Sequence, residues 1–477
     1  MRVIKILGRQ PGADYDAVPQ AKELHMKMKK VNQALGFALL GISVVLAPSG
    51  AQASKKELDT NTIYKLETML EHEDLWQLTT NTIGSVVHDG GFSWGDTAKT
   101  SVRGGVQVLI KFQGLRVWEV LVNFESNHVG RVEAFLYNRG DAGDLTAPAF
   151  NELLAKISTA LSNWTGAAAA ALPDLDGPAR TKIQHNAWKR GATRLELEWS
   201  VTKPHVQNGK RVEYRSEFIR LKALPLAAAT NAVARPATGR PGPVPGRTAA
   251  DLKKRIRTEE NGDVYVGDVP MVDQGEKGYC AAAVMARVMG YYGLDFDMHQ
   301  AAQIAGTKST GGTGGASMID ALKRISQKNS MRLVVIEEAD YQRWITDYNR
   351  AAQSAHKEKV KLEHDIGKAF DVMDGDLVRQ IRTKRSSELN KFKGDIVKNT
   401  DLGMPLIWGV HIGFVKEEFI LPQTKGGHMR MIIGYNKNTG DVLYTDSWGP
   451  RHALKRLPLA DAWTITTGVY VVKPNSL

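Results

Sequence analysis

The chain has 477 residues and a single cysteine, Cys280. An internal disulfide is therefore excluded, although exported domains commonly gain stability from disulfides. An unpaired thiol in an oxidising compartment is open to oxidation and mixed disulfides, so its presence favours a chemical role. A small buried hydrophobic residue is an equally good interpretation of a lone cysteine when only the count is considered.

The sequence also lacks an apolar run long enough to cross a bilayer, which takes about 20 residues in a helix. The best candidate, residues 34–46, follows a basic start at residues 28–30 and precedes the small residues 51–53. This order is typical of a signal peptide over residues 1–53, and it predicts secretion or periplasmic export in a bacterium, with cleavage near Ala53. The polar stretch before it indicates a true start at Met26 or Met28, and a retained apolar helix is the alternative.

The formal net charge of +12 is spread along the chain and forms no basic stripe with interleaved aromatic residues. Nucleic-acid binding is therefore not expected. The histidines of the N-terminal half show no metal-ligand spacing, and the sequence gives no sign of a cofactor or a metal site.

The length predicts more than one hydrophobic core, because single cores rarely grow beyond about 250 to 300 residues. Composition divides the chain into an α+β unit at residues 54–223, a Pro/Gly/Arg-rich linker at 224–263 and a second unit at 264–477. A charged helical insertion at residues 340–399 interrupts the second unit. We expect the first unit to be a separate domain, either an inhibitory propeptide of a zymogen or an accessory domain.

Two alternating segments of the first unit, residues 106–112 and 117–124, are joined by a short turn. This pattern predicts that the two segments are antiparallel neighbours in a hairpin.

The cysteine lies where a glycine-bearing loop at residues 272–279 runs into a strong helix former, residues 281–289. Val284 and Val288 continue its face at helical spacing, which places the sulfur in the first turn of a mostly apolar helix. Free N–H groups and the helix dipole at that position favour the thiolate and lower the pKa of a thiol.

Three further motifs accompany the cysteine. Gln274 stands six residues before Cys280, residues 426–435 contain Gly-Gly-His428 followed by an apolar strand and Gly-Tyr, and residues 445–449 read Thr-Asp446-Ser-Trp-Gly. In order and spacing these motifs resemble papain-like cysteine peptidases, and they are most similar to the bacterial branch of bacteriocin-processing (double-glycine) and staphopain-like peptidases. The resemblance covers residues 264–477.

The resemblance implies a papain-like α+β domain, in which a helical lobe carries the cysteine helix and an antiparallel sheet lobe carries the histidine and the aspartate. It assigns Cys280 as nucleophile, His428 as general base and acid, Asp446 as the group that orients the imidazole, and Gln274 as an oxyanion donor. The expected partner is a peptide or protein substrate. Trp448 is expected to shield the His–Asp hydrogen bond and to contact substrate.

A glycine-rich loop follows in residues 310–315. Similar turns in the family bind the substrate main chain, and the glycines that would do so are Gly311, Gly312, Gly314 and Gly315. A plain flexible loop is the alternative. The chain departs from the family in the helical insertion and in Ala281, which stands where the family usually has tryptophan.

Two other classes of function remain open at this stage. An acyltransferase or amidase, transglutaminase-like or arylamine acetyltransferase-like, would use the same groups, although its histidine usually follows the cysteine more closely. An inactive peptide-binding pseudo-peptidase is the other alternative, although all four catalytic positions carry competent residue types.

Overall fold

The computed structural model describes residues 59–87, 91–105, 108–177, 181–207, 210–226, 247–309, 312–361, 366–417 and 425–477. The predicted signal peptide therefore lies outside the described residues, as do residues 227–246 of the predicted linker. The described residues belong to one compact unit, Ala53–Leu477. Helices and sheets are mixed throughout, which confirms the α+β class.

The described α-helices are numbered here in chain order. They are α1 Leu66–Leu70, α2 Arg139–Ala142, α3 Ala147–Thr165, α4 Ala249–Lys253, α5 Cys280–Tyr291, α6 Met298–Ala305, α7 Gly315–Lys328, α8 Tyr341–Ser354, α9 Ile366–Asp371, α10 Gly375–Thr383, α11 Ser386–Thr400 and α12 Leu459–Ile465. In the part of the chain that the structure describes, no helix has the length and apolar character needed to cross a membrane.

The described strands are numbered in the same way. They are β1 Asp59–Lys65, β2 Phe92–Trp94, β3 Ser101–Gly104, β4 Val108–Phe112, β5 Leu115–Val117, β6 Glu119–Glu125, β7 His128–Asn138, β8 Ala170–Ala171, β9 Leu175–Asp176, β10 Lys182–Arg190, β11 Thr193–Thr202, β12 His205–Gln207, β13 Lys210–Val212, β14 Arg215–Pro225, β15 Ile256–Thr258, β16 Asp263–Val266, β17 Met331–Glu338, β18 Leu406–Ile412, β19 Gly426–Asn436, β20 Val442–Thr445, β21 Lys455–Leu457 and β22 Thr466–Pro474.

The N-terminal region, residues 59–226, is built on a nine-stranded sheet in the order β2-β3-β6-β7-β14-β11-β10-β8, with β9 beside β10. Helix α3 packs on this sheet through Phe150, Ile157 and Leu161, which share one helical face and are buried. A smaller sheet, β1-β4-β5, completes the same hydrophobic core. The predicted hairpin is only partly present, because β4 pairs with the short β5 whereas β6 joins the larger sheet.

The C-terminal region, residues 247–477, has a second hydrophobic core around an eight-stranded sheet. The order is β15-β16-β19-β18-β22-β17, and β20 pairs with both β19 and β21. Its described pairings are antiparallel. Helix α5 is buried along nearly its whole length and packs beside β19, so the cysteine helix and the histidine strand are neighbours.

Two sequence boundaries look different in the folded chain. Residues 247–263, taken from composition as the end of the linker, pack on the C-terminal region through buried Leu252 and through the pairing of β15 with β16. The helices α8 to α11 of the predicted insertion turn apolar faces to the same core, as buried Trp344 and Phe392 show. A separate N-terminal domain remains a prediction, since the two regions have their own cores within one compact unit.

Candidate active site

Cys280 is the first residue of α5, and its side chain is half-buried. The alanine and valine residues behind it form a helix that is almost wholly excluded from water, which fixes the direction in which the sulfur points. Backbone N–H groups of Ala281 and Met429 lie close enough to the sulfur to stabilise its negative charge. The sequence prediction of a first-turn cysteine is therefore met by the structure.

His428 lies on β19, opposite Val410 of β18, and its side chain is fully buried. Its Nε2 is 2.7 Å from Oδ1 of Asp446. The other nitrogen, Nδ1, has no well-aligned hydrogen-bond partner among the described residues, and it is the nitrogen left to interact with the Cys280 thiol. The imidazole thus stands between the sulfur and the carboxylate.

Asp446 follows β20, which pairs with β19 and brings the carboxylate beside the histidine. The backbone N–H of Ser447 donates to Oδ1 at 2.9 Å, and Nε of Arg430 forms an ion pair with Oδ2 at 2.7 Å. Although burial favours the neutral acid, the charges of His428 and Arg430 hold the pKa of Asp446 far below its usual range. The carboxylate is therefore charged at neutral pH.

The pKa values of the thiol and the imidazole shift in opposite directions. Burial by itself would raise the pKa of Cys280, but the hydrogen bond and charge of His428 bring it below its ordinary value. Burial also opposes the imidazolium, yet the Asp446 carboxylate raises the pKa of His428 to about 9. Between these two pKa values the pair exists as thiolate and imidazolium, the reactive form of a cysteine nucleophile.

Trp448 covers the imidazole. Its ring stacks on that of His428, with centroids 4.2 Å apart and 11° between the planes. The stack holds the imidazole in one orientation and excludes water from one of its faces. This arrangement fits the predicted shield, whereas contact of Trp448 with substrate stays a prediction.

Gln274 is buried in the loop that precedes α5. Its Oε1 accepts a hydrogen bond from Ser447 Oγ at 2.7 Å, and its backbone N–H donates to the Ser447 carbonyl at 2.8 Å. Its Nε2 donates to the carbonyl of Lys277 at 3.1 Å. Because an amide nitrogen carries two hydrogens, one remains for an oxyanion.

The glycine-rich loop is only partly described, since Gly311 lies outside the described residues. Gly312 has φ of +72° and approaches the loop before the nucleophile so closely that an added Cβ would lie 2.9 Å from the Gly278 carbonyl oxygen. Gly314 is the N-cap of α7 and Gly315 is its first residue, and both have open space around them. Substrate binding by these glycines stays a prediction.

Sequence reasoning missed two arginines that assemble the site. Arg287, on α5, is buried and donates to the Pro270 carbonyl, the Asp446 carbonyl and Thr445 Oγ1, at 2.8, 2.8 and 2.6 Å. It ties the cysteine helix to the turn that carries the aspartate. A lone arginine in an apolar helix was the available signal, because an arginine is rarely buried without partners. Arg430, two residues after the histidine, was passed over in the same way.

No cluster of three or more His, Cys, Asp or Glu residues suited to a metal ion occurs among the described residues. The side chains of the arrangement supply a charged nucleophile, a proton carrier and an oriented amide donor.

Residues 266–471 match the model of the Peptidase_C39 like family. The match confirms the resemblance to papain-like cysteine peptidases and assigns it to the C39 type. The matched range contains Gln274, Cys280, His428 and Asp446. No curated protein matches the chain.

Proposed function

We propose that the C-terminal region, with its cysteine peptidase match of the C39 type, hydrolyses internal peptide bonds through an acyl-thioester on Cys280. The observation that carries the proposal is the line of three groups, in which buried His428 stands between the half-buried thiol and Asp446, at 2.7 Å from the carboxylate. All three groups have pKa values shifted in the direction that the chemistry needs.

The reaction starts from the thiolate–imidazolium pair, in which the thiol proton has already passed to Nδ1 of His428. The thiolate attacks the substrate carbonyl carbon, and the negative charge moves to the carbonyl oxygen, where Gln274 and the Cys280 backbone N–H donate to it. The imidazolium then protonates the leaving amine as the C–N bond breaks, which leaves an acyl-thioester. Water, deprotonated by the same imidazole, attacks the thioester and releases the new carboxyl terminus and the free thiol.

The test is incubation of residues 54–477 under reducing conditions with a mixed peptide library, with cleavage sites read by mass spectrometry. Cleavage within peptides that is absent with Cys280→Ala is the expected result. Products extended by an added amine, in place of hydrolysis, would indicate an acyltransferase. Absence of any product, together with alkylation of Cys280 no faster than that of the denatured chain, would indicate an inactive binding protein.

We also propose that the protein is exported and works in the periplasm or outside the cell. Residues 1–53 support this proposal through their basic, apolar and small-residue segments in signal-peptide order. Amino-terminal sequencing of the protein from cell fractions tests it. A first residue of Ser54 in the periplasm or medium is expected, whereas an intact amino terminus in the cytoplasm would contradict export.

A further inference from the structure

We infer that Lys277 is a positioning residue through which the N-terminal region holds the oxyanion loop, residues 273–279, in its working shape. The inference rests on the proposed function and deepens it, because it makes the N-terminal region a lasting part of the enzyme. It assigns a role to a lysine that no catalytic motif includes.

The Lys277 side chain is almost fully buried, with 2% of it exposed. Its Nζ lies 3.1 Å from Oε2 of Glu119, on β6, and 2.7 Å from Oδ2 of Asp141, on α2. Both carboxylates belong to the N-terminal region. A lysine is rarely buried unless its charge is paired, so these two residues account for the burial of this ammonium.

The backbone carbonyl of Lys277 is hydrogen-bonded to Gln274 and to the residue before Cys280. The Lys277 carbonyl accepts a hydrogen bond from Nε2 of Gln274 at 3.1 Å and another from the backbone N–H of Tyr279 at 2.7 Å. Tyr279 directly precedes Cys280. The Lys277 carbonyl therefore joins the Gln274 side-chain amide to the residue that precedes the cysteine helix. The Lys277 side chain is bound at the same time to the N-terminal region.

The other end of the oxyanion loop is held by the same charges. Arg103, on β3, forms ion pairs with Asp273 at 3.2 Å and with Glu119 at 2.9 Å. Asp273 in turn accepts a hydrogen bond from the backbone N–H of Gly275 at 2.9 Å. Glu119 thus bridges Arg103 and Lys277, and the two cations hold both ends of the oxyanion loop against the N-terminal sheet.

Further contacts hold the residue before the nucleophile. The Tyr279 ring is buried and makes an edge-to-face contact with His299, whose own ring packs on Phe135 of β7 at 4.1 Å between centroids. It also lies against Gly140, where an added Cβ would be 2.6 Å from the ring. Loss of the N-terminal region would expose this ring and leave Lys277 without its acids. This is the arrangement of an accessory region rather than of a segment that is removed on activation.

The experiment compares Lys277→Met and Lys277→Arg with the wild type, and uses Lys328→Met as a matched control. Lys328 also joins the two regions, through the Gly177 carbonyl at 3.2 Å, but it lies on α7, and among the described residues no hydrogen bond or ion pair of its side chain goes to the oxyanion loop. Three quantities are measured: kcat and KM on a cleaved peptide, the rate of Cys280 alkylation as a function of pH, and hydrogen exchange over residues 273–279.

For Lys277→Met we expect kcat to fall about 100-fold, as displacement of an orienting group commonly causes. KM should change by less than about threefold, because the loss is confined to the transition state. Alkylation and its pH profile should be unchanged, since His428 sets them, and exchange over 273–279 should accelerate. Lys277→Arg should restore most of kcat, and Lys328→Met should match the wild type in all three measurements.

Asp141→Asn is the second variant should Lys277→Met fail to fold, because Asp141 is partly exposed and Glu119 remains to pair with the lysine. A smaller fall in kcat with faster exchange over 273–279 is expected from it. The inference is overturned if kcat and exchange stay at wild-type values, or if alkylation falls together with kcat, which would indicate damage to the thiol–imidazole pair. If the wild type cleaves no more peptide than Cys280→Ala, the proposed function is wrong, and unchanged exchange in the variants would then reject the anchoring role as well.

Discussion

The indole of Trp448 lies flat on the imidazole of His428, with 4.2 Å between ring centroids. In the proposed mechanism the imidazole keeps Nε2 on Asp446 while Nδ1 exchanges a proton with Cys280. A ring clamped on one face has few other orientations available, so the stack reduces the entropy lost when the catalytic line forms.

Trp448→Ala should therefore lower kcat/KM about tenfold, equivalent to about 1.4 kcal/mol. The imidazole would rotate more freely, and water would reach its hydrogen bond with Asp446. Trp448→Phe keeps a stacked ring and should retain most of the activity. Steady-state kinetics on the three proteins provides the measurement, and equal losses in both variants would show that the stack is not what matters.

The pH dependence of kcat/KM should be bell-shaped. Activity should rise as the Cys280 thiol ionises below its ordinary pKa, and should fall as His428 loses its proton near a pKa of about 9. In Asp446→Asn the carboxylate charge that raises the pKa of His428 is gone, so the alkaline limb should move to lower pH, towards the ordinary value of about 6.5.

The same shift affects stability. Because the pKa of folded His428 is raised, its stabilising contribution is complete below the unfolded value of about 6.5 and is lost as the pH rises through about 9. Asp446→Asn should flatten this alkaline loss in urea unfolding. Asp401→Asn is a matched control, since Asp401 is exposed and its carboxylate accepts a hydrogen bond from the Tyr435 hydroxyl. If the alkaline limb of kcat/KM stays near pH 9 in Asp446→Asn, Asp446 is not the group that raises the pKa of His428.

Gly312→Ala should impair the enzyme, because φ of +72° disfavours a side chain and the new Cβ would press on the Gly278 carbonyl, two residues before the nucleophile. We expect at least about a tenfold fall in kcat/KM, the size of effect that a small displacement of catalytic groups produces.

Gly314→Ala is the control within the same loop. Gly314 has an ordinary φ of −67° and no atom within 4 Å of an added Cβ. Its kcat/KM and thermal midpoint should stay close to the wild type. If Gly312→Ala also keeps the kcat/KM of the wild type, this loop does not shape the site.

Arg430→Met should destabilise the fold. Arg430 is fully buried and pairs with both Asp446 and Glu417, so its removal leaves two carboxylates short of a buried partner. Urea unfolding should show a loss of about 3 kcal/mol, as for other broken buried pairs. Arg211→Met, which removes an exposed pair with Glu213, should change the free energy of unfolding by less than about 1 kcal/mol. Similar small changes in both would argue against a structural role for the buried pair.

Local sequence patterns predicted the elements of the site but not all of their partners. The helix that begins at Cys280 follows from its alanine-rich sequence, and β19 follows from the apolar residues after His428. The hairpin of residues 106–112 and 117–124 was only partly correct. Val117, in β5, pairs with Ile110, in β4. The rest of the second segment forms β6, which pairs with β3 and β7 in another sheet. Alternation marks a strand, but the partner of a strand depends on long-range packing.

The positioning residues were not predictable from local pattern. Arg287 and Arg430 resemble ordinary charged residues in a helix and a strand until folding buries them against the Asp446 turn. Lys277 resembles a solvated loop lysine until Glu119 and Asp141, more than a hundred positions away in the sequence, enclose it. A charged side chain fixes the position of its neighbours only when its surroundings exclude water and supply the opposite charge.

The sequence by itself determined the chemistry: which residue types stand in the glutamine, cysteine, histidine and aspartate motifs, and in which order. Tertiary structure alone decided that β20 sets Asp446 beside His428, that Trp448 stacks on that ring, and that the N-terminal region encloses the Lys277 ammonium. The physical reason is that reactivity of a side chain is local, whereas pKa shifts and orientation arise from burial and from charges supplied by distant parts of the chain.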